Sequence, residues 1–368
     1  MGPLANGQVT GAPARVAATV TTADDLQDAI DGAARSGGLV ELAPGTHVLE
    51  SPLVLKPNVG LVATNLSSPA PVIKAGAAFL DAAPVCGGHP LVTTAGAPHV
   101  TIANLVLDQS GDTVDGNVEG RLAAYLVDVR DSTDVLVAGV VTRNPYTYSI
   151  VAVGAERFCF YRNHVSVATS GRYDQLDGIH VLDSHTGWVL DNYVDNRIGT
   201  DGDDALVAHT IGGPTHGITY QGNVVRGGHN GNGMQLAVGN FPIHDLTIAD
   251  NELWGGPCGI RTGYYDSPGA AVHDVTISGN TIHNNVGGKA FPDGGQAIAI
   301  GEYTNGGPDE TVHDITVVDN RICRAGDVVV ADGPNNSVRS TTAYTGCRNE
   351  PVRPDPSGRV DLWALAPR

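Results

Sequence analysis

Eight aspartates fall between Tyr173 and His209, in the stretch "YDQLDGIHVLDSHTGWVLDNYVDNRIGTDGDDALVAH". Three of them, Asp177, Asp203 and Asp204, stand at the edges of the short apolar runs "DGIHVL" and "DALVAH". Carboxylates held side by side repel one another, and the strain is relieved when one keeps its proton at a raised pKa. One protonated and one ionised carboxyl group at the same place can act as general acid and general base. Paired carboxylates flanking a glycosidic bond are the usual machinery for its hydrolysis. "DGDD" also has a plainer reading, because Asp and Gly dominate solvated turns. A calcium loop is a third reading, but the ligand spacing of an EF-hand is missing.

The elements that would carry these residues repeat along the chain. "FCFYRNHVSV", "WVLDNYVDN", "ITYQGNVVRG", "LTIADNELWG", "VTISGNTIHN" and "ITVVDNRICR" each read as an alternating strand, an asparagine and a second short apolar piece. The asparagines are Asn163, Asn192, Asn223, Asn251, Asn280 and Asn320, spaced 29, 31, 28, 29 and 40 residues apart. Looser copies, "VTIANLVLD" and "VLVAGVVTRN", precede them. Upstream of the later asparagines runs a further strand: "DGIHVL", "DALVAH", "NGMQLAV", "CGIRTGY" and "QAIAIG". A repeat of two or three strands without a helix cannot bury a face alone, but stacked repeats bury a continuous core. The expected fold is therefore all-β: a single-stranded right-handed parallel β-helix, with coils ~4.8 Å apart. The asparagines would form a side-chain ladder at one corner, bonding along the axis and satisfying turn backbone.

Open ends of such a solenoid expose strand edges and core. At the N-terminal end an amphipathic helix offers Leu26, Ala29, Ile30 and Ala33 on one face, with Thr22 as its cap and Gly37-Gly38 as its stop. Residues 1–17 read as a flexible segment, 18–345 as one β-helix domain, and 346–368 as a tail or cap with Trp363 turned inward over the last coil. Of five cysteines, Cys323 and Cys347 are close enough in sequence to pair, and Cys159 reads as a buried apolar residue. Trp188 reads as a structural residue of the asparagine-ladder sheet. Glycine, at 48 of 368 residues, suits a fold with many tight turns.

Acidic residues outnumber basic ones by 39 to 21, and the only lysines are Lys56, Lys74 and Lys289. No basic stripe is available for phosphates, so nucleic acid is excluded as a partner. Neither a signal peptide nor a membrane span is recognisable, and a mature secreted chain is expected. Cysteine spacing gives no metal motif, and His185, His209 and His216 read as loop residues at no metal spacing, so neither a metal nor any other cofactor is expected.

Aligning the upstream strands by their apolar residues puts Ile179, Leu206, Met234, Ile260 and Ile298 in one inward column. Two residues earlier the column reads Asp177, Asp204, Asn232, Cys258 and Gln296; one residue later it reads His180, Val207, Gln235, Arg261 and Ala299. In this register Asp177 and Asp204 stack on adjacent coils with Asp203 beside them, which lifts the cluster above turn chemistry. His180 is a candidate proton partner, and Asn232, Gln235, Arg261 and His229 are candidate substrate contacts. Tyr264 and Tyr265 are candidate stacking platforms for sugar rings.

"QLDGIHV…DGDDAL…NGNGMQLAVG…CGIRTG" resembles the four successive motifs of polygalacturonase-type glycoside hydrolases, over roughly Asp174 to Gly263. The helix followed by "LVELAP" resembles the beginning of pectate-lyase-like β-helix proteins. The resemblance implies that Asp203 is the general acid, that Asp177 and Asp204 hold the attacking water, and that the anomeric centre inverts. The sequence departs from the pattern at four places. Gln175-Leu176 replaces Asn-Thr, Asn232 occupies a histidine slot, and Gly263 replaces the lysine that follows the arginine matched by Arg261. In the family that arginine and lysine grip a uronic acid. Dextranase and α-1,3-glucanase types share paired aspartates on a β-helix and act on neutral glucans.

The expected activity is cleavage of a poly- or oligosaccharide, by hydrolysis with or without transglycosylation. Asp174, Asp177, Asp183, Asp201, Asp203, Asp204 and Asp266 surround the site, against Arg172, Arg197, Arg226 and Arg261. A polyanion would feel that field over ~8 Å at physiological salt, so a neutral glycan is expected. Two alternatives stay open: a polysaccharide lyase or uronate epimerase on the same fold, and a non-catalytic glycan-binding or phage-tail β-helix. A lyase needs a cation at the substrate carboxylate, and the shortage of lysine counts against it.

Overall fold

Each repeat alternates inward apolar with outward polar residues and then bends at one residue in a left-handed conformation. The computed structural model describes residue 4 and residues 6–82, 89–113, 125–166, 176–196, 202–229, 231–264, 270–283, 295–301, 311–352 and 358–365. Three parallel sheets of twelve, ten and eleven strands run the length of the molecule. Each full coil adds one strand to each. Ile179–Leu182 joins the ten-stranded sheet, His185–Leu190 the twelve-stranded and Tyr193–Asp195 the eleven-stranded. Parallel strands linked by such crossovers wind right-handed. The architecture is the right-handed parallel β-helix expected from the repeats.

The register is also the expected one. Ile179 pairs with Leu206, Leu206 with Met234, Met234 with Ile260 and Ile260 with Ile298. All five are fully buried in one continuous core. At the corner between the twelve- and eleven-stranded sheets, Arg162, Asp191, Gly222, Asp250, Gly279 and Asp319 adopt φ of 53, 54, 69, 55, 67 and 56°. Each is followed by one of the repeated asparagines. The Asn163 backbone N–H and Nδ2 both donate to Asn192 Oδ1, at 2.9 and 3.0 Å, and Nδ2 also donates to the Val137 carbonyl at 3.0 Å. The same pattern repeats from Asn192 to Asn223, Asn251, Asn280 and Asn320. The looser early repeats put fully buried Leu105 and Val140 in the asparagine slot, and the Val140 N–H donates to Asn163 Oδ1 at 3.0 Å.

Helix Leu26–Ala33 plugs the N-terminal end with buried Leu26, Ile30 and Ala33. Its cap differs from expectation. Asp25 occupies the N-cap position without a side-chain capping bond, and Thr22 Oγ1 donates to Asp25 Oδ2 at 2.5 Å. After the helix, Gly37 and Gly38 take φ of 69 and 129°, and a Cβ at Gly38 would lie 2.6 Å from the Arg15 carbonyl oxygen.

Both termini depart from the sequence reading. Leu4 and Val9 are buried, so the segment before residue 18 packs instead of hanging free. The tail does not turn Trp363 inward over the last coil; Trp363 is 50% exposed. Instead, Arg348 O accepts the Trp254 indole N–H at 3.1 Å, and Val360 bonds both ways with the Asn104 side chain, at 2.7 and 2.9 Å. The tail thus runs back toward the early coils. The reason is a patch of apolar residues on the outer face of the twelve-stranded sheet: Leu39, Val62, Ala103, Leu136, Ala138 and Cys159. Leu4, Val9 and Val360 bury against it, with Trp188, Leu362 and Leu365 at its margin. Such a face costs about 25 cal/mol for each Å² left in water, so a cover is strongly favoured.

Cys323 and Cys347 form a disulfide, as their spacing suggested. Cys159 and Cys258 are buried free thiols, and burial pushes Cys159 up to about 12. Cys86 lies outside the described residues. Among the described residues no helix is long and apolar enough to cross a membrane.

The asparagine ladder makes one measurable claim. In Asn223→Ala the Val189 carbonyl loses its Nδ2 donor and the Asn192 N–H loses its acceptor. Each buried group left unpaired costs about 1–3 kcal/mol. Denaturant unfolding should show a loss of a few kcal/mol; an unchanged midpoint would mean that the backbone bend alone holds the corner.

Candidate active site

The three aspartates sit where the chain passes from the eleven- to the ten-stranded sheet. Asp177 and Asp204 each precede their strand by two residues, and the pairing of Ile179 with Leu206 stacks them on adjacent coils. One oxygen from each of Asp177, Asp203 and Asp204 lies within 4.8 Å of the others. Asp177 and Asp204 are only 4% and 3% exposed, whereas Asp203 is half-buried.

Backbone contacts fix the cluster. The Asp204 N–H donates to Asp177 Oδ1 at 3.1 Å, and the Gly228 N–H to the Asp203 carbonyl at 2.8 Å. The buried Asn196 amide donates to the carbonyls of Leu176, Asp203 and Asp204 at 3.0, 3.2 and 2.8 Å. Gly231, one coil on, lies against the Asp203–Asp204 peptide; a Cβ there would fall 1.8 Å from the Asp203 carbonyl carbon. Only glycine lets the next loop approach so closely.

Around this frame runs a chain of polar side chains. Asn232 donates to Asp204 Oδ1 from both its backbone N–H and its Nδ2, each at 2.6 Å. Asn232 Nδ2 also reaches Gln235 Oε1 at 3.1 Å, which accepts Arg261 Nε and Nη2 at 3.1 and 3.0 Å. On the other side Asp177 Oδ2 is 2.7 Å from His180 Nδ1, and His180 Nε2 is 3.1 Å from His209 Nδ1. The Tyr148 ring stacks on His180 at 4.6 Å, and Tyr125 stacks on Tyr148 at 5.4 Å.

These contacts set the charges. Burial, then the charge of Asp204, raises Asp177 well above the usual carboxylate range. Burial also raises Asp204, while Arg261 and the Asn232 donors pull it back. Asp204 is therefore the better-supported anion, and Asp177 the better proton holder. Burial pushes His180 down to about 3, so its imidazole is neutral at neutral pH. A neutral ring donating from Nδ1 to Asp177 leaves Nε2 to accept from His209. The arrangement sets two buried carboxyls whose ionisation is opposed next to a third that solvent reaches.

The structure thus joins Asp177, Asp203, Asp204, His180, Asn232, Gln235 and Arg261 in one neighbourhood. His229 is exposed, and no bond from its ring to the aspartates occurs among the described residues. Of Tyr264 only the backbone is described, paired with Val238. Tyr265 lies outside the described residues. Sequence reasoning missed three residues. His209 ends strand Leu206–His209, and His185 and His216 also lie in strands, not loops. Tyr125 and Tyr148 precede their strands by two residues, as Asp177 and Asp204 do. Extending the aspartate column two coils toward the N-terminus would have found both.

No protein-family model matches the chain, and no curated protein matches it in sequence. Solved structures do. A polygalacturonase from Erwinia carotovora ssp. carotovora superposes with a TM-score of 0.64 at 15% identity, covering 92% of this chain and 99% of that one. The fold is that of the polygalacturonases. An exopolygalacturonase from Thermotoga maritima gives 0.63 at 16% identity, over 91% of this chain and 96% of that one. The tailspike of E. coli bacteriophage HK620, a mutant in complex with pentasaccharide, gives 0.58 at 16% identity, over 82% and 53%. At such identities the polygalacturonase likeness is one of fold.

The raised Asp177 pKa has a sign that can be tested. A carboxyl whose folded pKa exceeds its unfolded value binds extra protons in the folded state, so its contribution to stability falls as pH rises above about 3.8. His180 works oppositely: its lowered pKa makes stability rise from about pH 3 to about 6.5. Comparing Asp177→Asn with wild type isolates the first effect. The variant should gain stability relative to wild type as pH is raised from 4 to 7 in thermal melts, and a pH-independent difference would contradict the raised pKa.

Proposed function

We propose that this chain is a secreted glycoside hydrolase that cleaves a neutral poly- or oligosaccharide at Asp177, Asp203 and Asp204. The observation carrying this reading is the cluster itself: three carboxylates within 4.8 Å, two of them buried and raised, on the polygalacturonase fold. A purely structural turn has no use for two stacked carboxyls whose ionisation is opposed by burial.

In this mechanism Asp203, the carboxyl that solvent reaches, protonates the glycosidic oxygen. Asp177 and Asp204 hold a water, and Asp204, the anion of the pair, takes its proton as it attacks the anomeric carbon. Asn232 and Arg261 hold Asp204 as the anion that the attack requires, and His180 fixes Asp177. Attack by water on the face opposite the leaving group inverts the centre, as the sequence resemblance implies.

Substrate neutrality is supported by the state of the cations. Arg226 is paired with Asp195 at 3.1 Å, and the charge of Arg261 acts on buried Asp204. Secretion is supported by the Cys323–Cys347 disulfide, since such bonds persist in oxidising compartments.

The experiment is a panel of neutral glucans, fructans and arabinans beside polygalacturonate, at low and high salt. Turnover of a neutral glycan is expected, with Asp203→Asn, Asp177→Asn and Asp204→Asn each lowering kcat by at least about 10²-fold in a folded protein. NMR of the first-formed anomer separates inversion from retention. Turnover of polygalacturonate alone would overturn the neutral substrate. Binding without turnover of any glycan would favour a non-catalytic β-helix.

A further inference from the structure

Five histidines stack on the twelve-stranded sheet, away from the sheet that carries the aspartates. Strand register pairs His185 with His216, His216 with His244, His244 with His273, and His273 with His313. Their rings lie 5.0, 4.6, 4.8 and 4.9 Å apart and within 8° of parallel. The next residue on each strand, Thr186, Gly217, Asp245, Asp274 or Asp314, takes a left-handed φ between 52 and 65°. That bend brings the aspartates beside the preceding rings: Asp245, Asp274 and Asp314 each place Oδ2 2.7 Å from their own histidine's Nδ1.

His216 is followed by Gly217 and so has no carboxylate of its own. The nearest is Asp245, one coil on. A ring nitrogen of His216, a ring nitrogen of His244 and an oxygen of Asp245 lie within 4.8 Å of one another. Both rings are partly exposed, and Asp245 is exposed.

We propose that His216, His244 and Asp245 form a binding site for a divalent transition-metal ion of the Zn²⁺ or Ni²⁺ class. Two imidazoles and one carboxylate are donors suited to such ions, whereas Ca²⁺ and Mg²⁺ favour oxygen alone. Metal–ligand bonds of about 2.0–2.2 Å require ligand atoms closer than 4.8 Å. Partly exposed imidazoles close that gap by tilting about the Cβ–Cγ bond. Asp245 Oδ2 already lies 2.7 Å from His244 Nδ1, a hydrogen bond that gives way when both side chains turn to one ion, and Asp245 is exposed to water. The ligands are 28 residues apart, a full turn of the solenoid, so no short spacing in the sequence marks them. The sequence alone therefore predicts no zinc site.

The test uses the full chain, stripped with a chelator and titrated calorimetrically with Zn²⁺ and, separately, Ni²⁺. A single saturable site is expected. His216→Ala and His244→Ala should each weaken it by about tenfold or more, and Asp245→Asn by about 10–100-fold. His313→Ala, at the far end of the stack, should leave it unchanged. Circular dichroism checks that each variant is folded. His244→Gln keeps a planar polar group should alanine disturb the stack, and it should abolish the visible absorption of bound Co²⁺. The proposal is overturned if wild type shows no saturable binding. It is also overturned if folded His216 and His244 variants bind as wild type does, or if binding disappears in Asp203→Asn instead.

Discussion

Everything in this molecule depends on one constraint: successive coils hydrogen-bond in parallel register at ~4.8 Å, so equivalent residues of neighbouring repeats must touch. Whatever type of residue occupies a column is repeated against itself. Apolar columns become a continuous core, and asparagines become a chain of shared amides. Imidazoles become a stack of parallel rings. Aspartates become a pair of carboxyls that cannot both ionise freely. The same geometry thus produces stability at one corner of the coil and electrostatic tension at another.

That tension is tolerated because the frame supplies donors. Asp204 receives two N–H groups from Asn232, while Asp177 receives the Asp204 N–H and the His180 ring. Arg261 adds a positive charge through its place beside Gln235. Asp204 takes both Asn232 donors from the following coil, whereas Asp177 takes one donor from the following coil and one, His180, from its own strand. This asymmetry pushes the two carboxyls toward different protonation states, which is what acid–base chemistry at one site needs.

Much of the architecture was legible because a solenoid writes its columns into the sequence as a period. Asn163 to Asn320, the inward column from Ile179 to Ile298, and Asp177 above Asp204 all follow from aligning repeats. Asn232, Gln235 and Arg261 came with the same alignment. Contacts that run diagonally were not legible. His209 pairs with Leu182 along the strand yet reaches His180, two residues away, and no column records that step. The tail was misread for a different reason. Its path follows the need to cover Leu39, Val62 and Leu136, and an apolar outer face looks no different in sequence from an inner one. The Thr22 cap failed because Asp25 lies closer to the first helical turn.

The return of the tail to the early coils changes how the chain behaves while it is being made. A simple solenoid is built of neighbours, so each coil could be finished as soon as the next one docks. Here Asn104 waits for Val360, 256 residues later, to complete its hydrogen bonds. Until the segment around Val360 has been made and has docked, part of the cover over that outer face is missing. The nascent chain therefore carries an unfinished apolar face while the 256 residues from Asn104 to Val360 are made, and a product cut before Val360 would carry it permanently. Such a surface is what chaperones hold and what proteases and aggregation find. The docking of Val360 is in effect a late closing step for a face laid down by the first coils.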